Sequence, residues 1–318
     1  LYCILYFWPL CATEDFALAR AIWMWVSLGG LLTATLLWME MIDRRPRLGM
    51  WAWTMVWVVF LYHDFRALVL GQFAVFVLLA LVATLWAMRR GRNGWAGCFL
   101  ALSTAKPPLV YLAIPWILLW AAGKRRWRLW WGFGVSMGLL MLGSTILLPS
   151  WISGTIQQSL AYSSYTVYAS LTGMLVQNVL KLGPVAEIAA MVALAAVALV
   201  LGWRFWRGTW EQMLWMLGFL LLLTNFFTPR IATTNYLVLV PWALWGFVWI
   251  RRVWGRRGVW IVVLLEIVLL IGLWIVFLAT IEGNFERAPV YFPFPVAVSL
   301  LLAWLWKRVH RREADVSG

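Results

Sequence analysis

The chain has 318 residues, 64% of them hydrophobic and 12% charged, with a formal charge of +14. A soluble domain is about 45–50% apolar and about 25% charged, so this composition excludes a soluble globular enzyme and points to an integral membrane protein with many spans. A charge this basic would suggest nucleic acid in a soluble chain; here the basic residues cluster in short turns between apolar runs, a signal of topology, so lipids are expected as partners and nucleic acid is not.

In chain order, the apolar runs long enough to cross a bilayer, or nearly so, are 16–38, 50–62, 68–88, 127–149, 185–203, 211–227, 235–250, 258–279 and 292–306. Continuous runs of this length favour helices, because the strands of a membrane barrel alternate in polarity over roughly 10 residues. The expected fold class is all-α: a polytopic transmembrane helix bundle forming a single domain over 1–318, with about nine full crossings and one broken helical hairpin. Runs 50–62 and 292–306 are short and are expected to extend into flanking polar residues or to face thinned lipid. The first 15 residues read like the middle of a longer chain, so an N-terminal part is expected upstream of Leu1. Thr13 reads as the N-cap of the first helix, with Glu14 and Asp15 in its first turn.

Residues 62–72, YHDFRALVLGQ, place His63, Asp64 and Arg66 on a short outer loop, with Gly71-Gln72 entering the next helix. Asp64 is a candidate general base, with His63 orienting or sharing a proton; the plainer alternative is a helix-capping carboxylate. Gln72 has an amide suited to hydrogen-bonding a sugar or to bridging helices.

Segment 94–121 holds the main irregularity, an apolar run interrupted by Lys106-Pro107-Pro108. As one helix its length would be about 42 Å; as two half-helices, 94–105 and 108–121, each would be about 18–21 Å and would not cross a ~30 Å core. If the segment enters and returns, all but six of the 26 Lys and Arg residues fall on one side, the six being Arg20, Arg66, Lys106, Lys181, Arg230 and Arg287. A single crossing divides them far more evenly, so the positive-inside bias predicts a hairpin with Lys106 at its tip, facing a cavity open to the outer side. A snorkelling lysine is the plain reading of Lys106; the functional one is a phosphate anchor, because an ammonium binds phosphate better as the local dielectric falls.

The stretch 150–184 is expected to be an outer loop with short interfacial helices. Arg230 follows Thr228 and precedes Thr233, Thr234, Asn235 and Tyr236; its planar fork matches phosphate oxygens, although a turn-rich loop would also have this composition. Glu266 lies within run 258–279 and is expected to face a neighbouring helix or a wet groove. No P-loop, no GxGxxG after a strand, no HExxH and no CxxC is present, and Cys3, Cys11 and Cys98 lack metal or disulfide spacing. No cofactor and no metal site are therefore expected.

At Leu70-Gly71-Gln72, Arg89-Arg90-Gly91-Arg92, Ala96-Gly97, Lys106-Pro107 and Arg125-Arg126-Trp127 the chain resembles the family-87 glycosyltransferases of the GT-C superfamily. Residues 6–23 and the stretch TPRIATTNYLVLVP (228–241) extend the likeness over most of the chain. The resemblance implies transfer of a sugar, often mannose or arabinofuranose, from a polyprenyl-phosphate donor to a glycan or lipid acceptor on the extracytoplasmic face of the cell membrane. With such a reaction, Lys106 and Arg230 are the candidates for lipid-phosphate binding, and Gln72, His63, Arg66, Asn235 and Tyr236 the candidates for substrate binding. The resemblance also implies a catalytic aspartate in a first outer loop, which would precede Leu1; Asp64, Glu14 and Asp15 do not map onto it. Two other functions use the same features. A transporter or flippase of lipid-linked sugars would need the cations and no base, and a non-catalytic membrane subunit would need neither. A transporter would often show broken helices in both halves, and only one broken segment is evident.

Overall fold

A computed structural model of the chain describes Phe7, Leu10 and residues 13–43, 48–165, 170–229, 232–283 and 286–314. Every apolar run identified in the sequence is largely helical, and the described residues contain no strand. Helix α1 (Phe16–Ile42) is capped by Asp15, whose carboxylate accepts the N–H groups of Ala17 at 2.8 Å and Leu18 at 3.4 Å. Thr13, the cap expected from sequence, instead accepts the N–H of Asp15. A carboxylate satisfies the orphan donors and complements the positive end of the helix dipole as well.

Helices α2 (Leu48–Phe60), α3 (Tyr62–Val69) and α4 (Ala74–Arg89) follow. Run 68–88 is not one straight helix, because α3 and α4 meet at 118° across a turn at residues 70–73. Gly71 makes that turn with φ +63°, a conformation that costs glycine little. Its carbonyl accepts the Trp23 indole N–H at 3.0 Å, which ties the turn to α1.

Next come α5 (Asn93–Ser103), a 3₁₀ turn (Pro107–Leu109), α6 (Ala113–Gly123), α7 (Trp127–Leu147), α8 (Trp151–Tyr165), α9 (Pro184–Phe205), α10 (Trp210–Phe227), a 3₁₀ helix (Thr233–Leu239), α11 (Val240–Thr280) and α12 (Pro293–Ala314). Among the described residues, six helical segments are long and apolar enough to cross a membrane: Phe16–Ile42, Trp127–Leu147, Pro184–Phe205, Trp210–Phe227, Thr233–Thr280 and Ala288–Val309. The difference from the nine crossings expected has three sources: two runs are shortened and two others form one segment. The 13-residue α2 is shorter than the ~20 residues a crossing needs, and α4 is shortened by the bend at Gly71. Runs 235–250 and 258–279 are joined in α11, which nevertheless reverses direction at Gly255 (φ +53°, ψ −126°). A Cβ on Gly258 would lie 2.6 Å from the Ile250 carbonyl oxygen, whereas eight residues of straight helix span about 12 Å.

The bundle has a basic end. Arg89 donates to the Met41 carbonyl, Arg90 pairs with Glu40, Arg251 pairs with Asp43 at 2.6 Å, and Arg252 donates to the Ile42 carbonyl. Arg126 reaches the Met88 carbonyl at 3.0 Å and Lys124 the Arg207 carbonyl at 2.8 Å. The turns after α1, α4, α6 and α9 and the reversal in α11 therefore all meet there.

Helices α5 and α7 run parallel from this end. Gly132 lies against Gly94, Gly97 lies against Leu129 and Phe133, and Thr104 Oγ1 is 3.5 Å from Met137 Sδ. Between them α6 carries the chain back, so the polypeptide doubles back at residues 104–112. With 11 residues each, α5 and α6 are about 16 Å long and neither spans a ~30 Å core. The outer faces of α7 and α9 expose Val135, Leu139, Ile146, Leu199 and Trp203. Such faces are stable in hydrocarbon, and the chain is an integral membrane protein.

The α5–α7 contact depends on glycine, since a Cβ on Gly132 would fall 2.2 Å from the Gly94 carbonyl oxygen. Gly132→Ala is expected to cost about 1–3 kcal/mol through overpacking, read as a lower melting temperature in detergent. Gly138→Ala, on the same helix with open space around it, should be neutral to within about 0.5 kcal/mol. An equal loss in both would remove close approach as the cause.

Candidate functional site

The fold-back is built by local chemistry. Ser103 Oγ and Thr104 Oγ1 donate to the carbonyls of Leu100 and Ala101, at 2.7 and 2.6 Å, and close the end of α5. Lys106 is extended (φ −128°, ψ 81°) because the following proline disfavours the helical region. Pro107 and Pro108 then start the 3₁₀ turn, where their missing N–H groups cost nothing.

This geometry turns the Lys106 side chain into the protein. Its Nζ donates to Asn235 Oδ1 at 2.9 Å and to Gln72 Oε1 at 3.2 Å. Both acceptors are neutral amides, and among the described residues no carboxylate pairs with Lys106. Gln72 lies in the turn between α3 and α4, before the helix that the sequence led one to expect it to enter. Asn235 lies on the 3₁₀ helix Thr233–Leu239, all seven residues of which are buried. Neighbours α3, α4, α10, α11 and α12 surround that helix, so the amide oxygen offered to Lys106 is held from every side.

A second cation at this end is committed elsewhere. Arg66 pairs with Glu286 and donates to the Tyr62 hydroxyl at 2.9 Å. The Tyr62 hydroxyl donates to the same Glu286 oxygen at 2.6 Å, and Thr233 Oγ1 donates to it as well. Sequence reasoning missed Glu286; its only signal was a carboxylate in an outer connection that carries few cations.

His63 and Asp64 do not stand on a loop. They lie on α3 and are fully buried, and neither His63 nitrogen nor either Asp64 oxygen has a hydrogen-bond partner among the described residues. The His63 ring packs edge-on against Tyr236 with centroids 5.0 Å apart, and the Tyr236 hydroxyl is likewise unpartnered. The stretch folds as a helix because Tyr62, Ala67 and Leu68 bury together with these polar groups against the Thr233–Leu239 helix. Asp64 thus has no direct contact with solvent from which an acceptor hydroxyl could approach. Arg230 lies outside the described residues. Its neighbour Thr228 reaches the tip, with Oγ1 3.4 Å from the Pro108 carbonyl oxygen. Glu266 is not part of this group: it accepts the Trp53 indole N–H at 2.6 Å within the bundle.

An apolar cavity of about 530 Å³ opens between α6, α9 and α10. It is lined by Leu112, Leu119, Leu199, Trp203, Leu220 and Phe227 among others, and Leu112 and Phe227 bring one end of it beside the tip. No group of three His, Cys, Asp or Glu side chains that could hold a metal occurs among the described residues. The arrangement therefore offers one uncompensated ammonium, two amides and an adjoining hydrocarbon-like groove.

The model of one protein family, described as glycosyltransferase family 87, matches residues 2–229. That stretch contains Gln72 and Lys106 and stops short of Asn235 and Glu286. No curated protein and no solved structure matches the chain.

If Lys106 is poised for an anion because its partners are neutral, Asn235→Asp should satisfy it internally. Charge-assisted hydrogen bonds are about twice as strong as neutral ones, so binding of a short-chain polyprenyl phosphate should weaken by about tenfold or more. Isothermal titration of the purified protein reads the change, and unaltered affinity would separate anion binding from Lys106.

Proposed function

Because the chain belongs to glycosyltransferase family 87 and is thus a membrane enzyme that transfers sugars, we propose that it moves a sugar from a polyprenyl-phosphate donor to a glycan or lipid acceptor. The sugar is a hexose such as mannose, or a pentose. The observation that carries this reading is the Lys106 ammonium, held at the fold-back tip by two neutral oxygens and by no carboxylate among the described residues.

The acceptor hydroxyl oxygen attacks the anomeric carbon, and the bond from that carbon to the donor phosphate oxygen breaks. The electron pair stays on the phosphate, and the hydroxyl proton passes to a carboxylate. The phosphodiester donor carries one negative charge and the phosphomonoester product up to two. Charge therefore grows beside Lys106 as the reaction proceeds, and a fixed cation there stabilises the transition state more than the ground state. Gln72 and Asn235 orient the ammonium while it waits. The isoprenoid chain lies in the apolar groove beside the tip, whose hydrocarbon lining supports a lipid-linked donor over a water-soluble one. Asp64 is too enclosed to meet the acceptor directly, so the proton goes to another carboxylate.

The basic end faces the cytoplasm by the positive-inside tendency, together with the C-terminal Lys307, Arg308, Arg311 and Arg312. The tip then faces the extracytoplasmic side of the cell membrane. A flippase would use the same cation, but family membership favours the enzyme.

Two measurements test this. Lys106→Ala, shown to be folded, should lose about 100-fold or more in transfer from a polyprenyl-phosphate sugar, the size typical for removing a fixed transition-state donor; transfer near the wild-type rate would take Lys106 out of the mechanism. Tyr111 is exposed beside the tip, and Tyr111→Cys, in a chain freed of its native cysteines, should react with an impermeant thiol reagent added outside intact cells. Reaction only after the cytoplasm is opened would invert the topology.

A further inference from the structure

Among the described residues, Lys106 and Arg66 are treated differently by the fold, and the difference is the work of a residue outside the family match. Lys106 has only amide partners among the described residues. Arg66 is paired with Glu286, bonded to the Tyr62 hydroxyl at 2.9 Å, and stacked with its guanidinium carbon 5.3 Å from the Phe277 ring centroid. The Glu286 oxygen that takes Arg66 also takes Tyr62 and Thr233, and its side chain is 9% exposed. Thr233 and Asn235 belong to one 3₁₀ helix, where two residues advance about 4 Å along the axis. The contact made by Glu286 and the contact made by Lys106 are therefore neighbours on one short, buried support.

We propose that Glu286 is a positioning residue that withholds Arg66 from the donor phosphate and pins the Thr233–Leu239 helix, so that of these two cations Lys106, and not Arg66, meets the lipid phosphate. The proposal rests on the reading of the tip as the phosphate site. Its advantage to the enzyme lies in the product. A second free guanidinium would stabilise the more highly charged phosphomonoester more than the phosphodiester donor, and Arg forks bind phosphate oxygens in pairs. Product would then leave slowly. Masking Arg66 keeps leaving-group stabilisation from becoming product trapping.

Glu286→Gln is the informative change, because glutamine keeps the acceptor for Tyr62 and Thr233 while removing the charge that holds Arg66. Purified full chain in lipid nanodiscs is titrated with farnesyl phosphate, a phosphomonoester, and with its methyl diester. Glu286→Gln is expected to bind the monoester about fivefold to tenfold tighter than wild type, with a smaller gain for the diester and a gain that shrinks in high salt. The double variant Glu286→Gln/Arg66→Gln should return to wild-type affinity. A purely structural role for Glu286 would weaken binding of both ligands and would not be reversed at Arg66; that outcome, or no change in Glu286→Gln, overturns the proposal and leaves the phosphate site standing. Failure of the wild type to bind farnesyl phosphate overturns the phosphate site and this inference together. If Glu286→Gln does not fold, the pair variant Glu286→Gln/Arg66→Gln, which removes both charges, decides: affinity within about twofold of wild type agrees with a masked arginine, and a loss of tenfold or more overturns it.

Discussion

A lysine ammonium shared by two amide oxygens from distant parts of the chain is the contact on which the tip depends. Lys106 meets Gln72 from the turn between α3 and α4, and Asn235 from the buried 3₁₀ helix. A charge inside an apolar bundle is costly, and a carboxylate partner would offset part of that cost while neutralising the charge. Here it is met only in part, by neutral groups. What remains is an electrostatic demand that an anion from outside can satisfy, and this is the physical basis of the proposed phosphate site.

The scaffold that presents this charge rests on steric details of the backbone. Gly94, Gly97 and Gly132 let α5 and α7 touch backbone to backbone, as small residues do where lipid gives helices no hydrophobic reason to associate. Two prolines stop the half-helix and turn it. Gly71 bends the chain so that Gln72 reaches the tip. At the opposite end, arginine contacts with backbone carbonyls gather the basic turns. The hairpin thus has both feet at the basic end and its tip where positive charge is sparse.

The acidic and basic groups near the tip divide into three states. Among the described residues, Lys106 is hydrogen-bonded but not neutralised, Arg66 is neutralised by Glu286, and His63 and Asp64 are enclosed without hydrogen-bond partners. A buried polar group without a partner costs roughly 1–3 kcal/mol, so the α3 contact with the Thr233–Leu239 helix carries a standing penalty, against which the aromatic packing of Tyr62, His63, Tyr236 and Phe294 acts. Such unresolved polar groups cluster where a structure serves function before stability.

The amino-acid sequence by itself determined the solvent this protein lives in, its helical class and the basic turns, because apolar run length and charge spacing are local properties read without knowing any partner. It also singled out Lys106, since a lysine before two prolines inside an apolar run is costly wherever it folds. Local pattern could not distinguish α3 from a loop: HDFR reads as polar until the elements that enclose it are known. Nor could it assign Asp15 over Thr13 as the cap, when both chemistries suit the position. Only the tertiary structure decided which oxygens Lys106 meets and that Glu286, more than 200 residues from Arg66, takes the other cation. Those pairings depend on three-dimensional approach between segments far apart in the chain, and neither spacing nor composition encodes a distance.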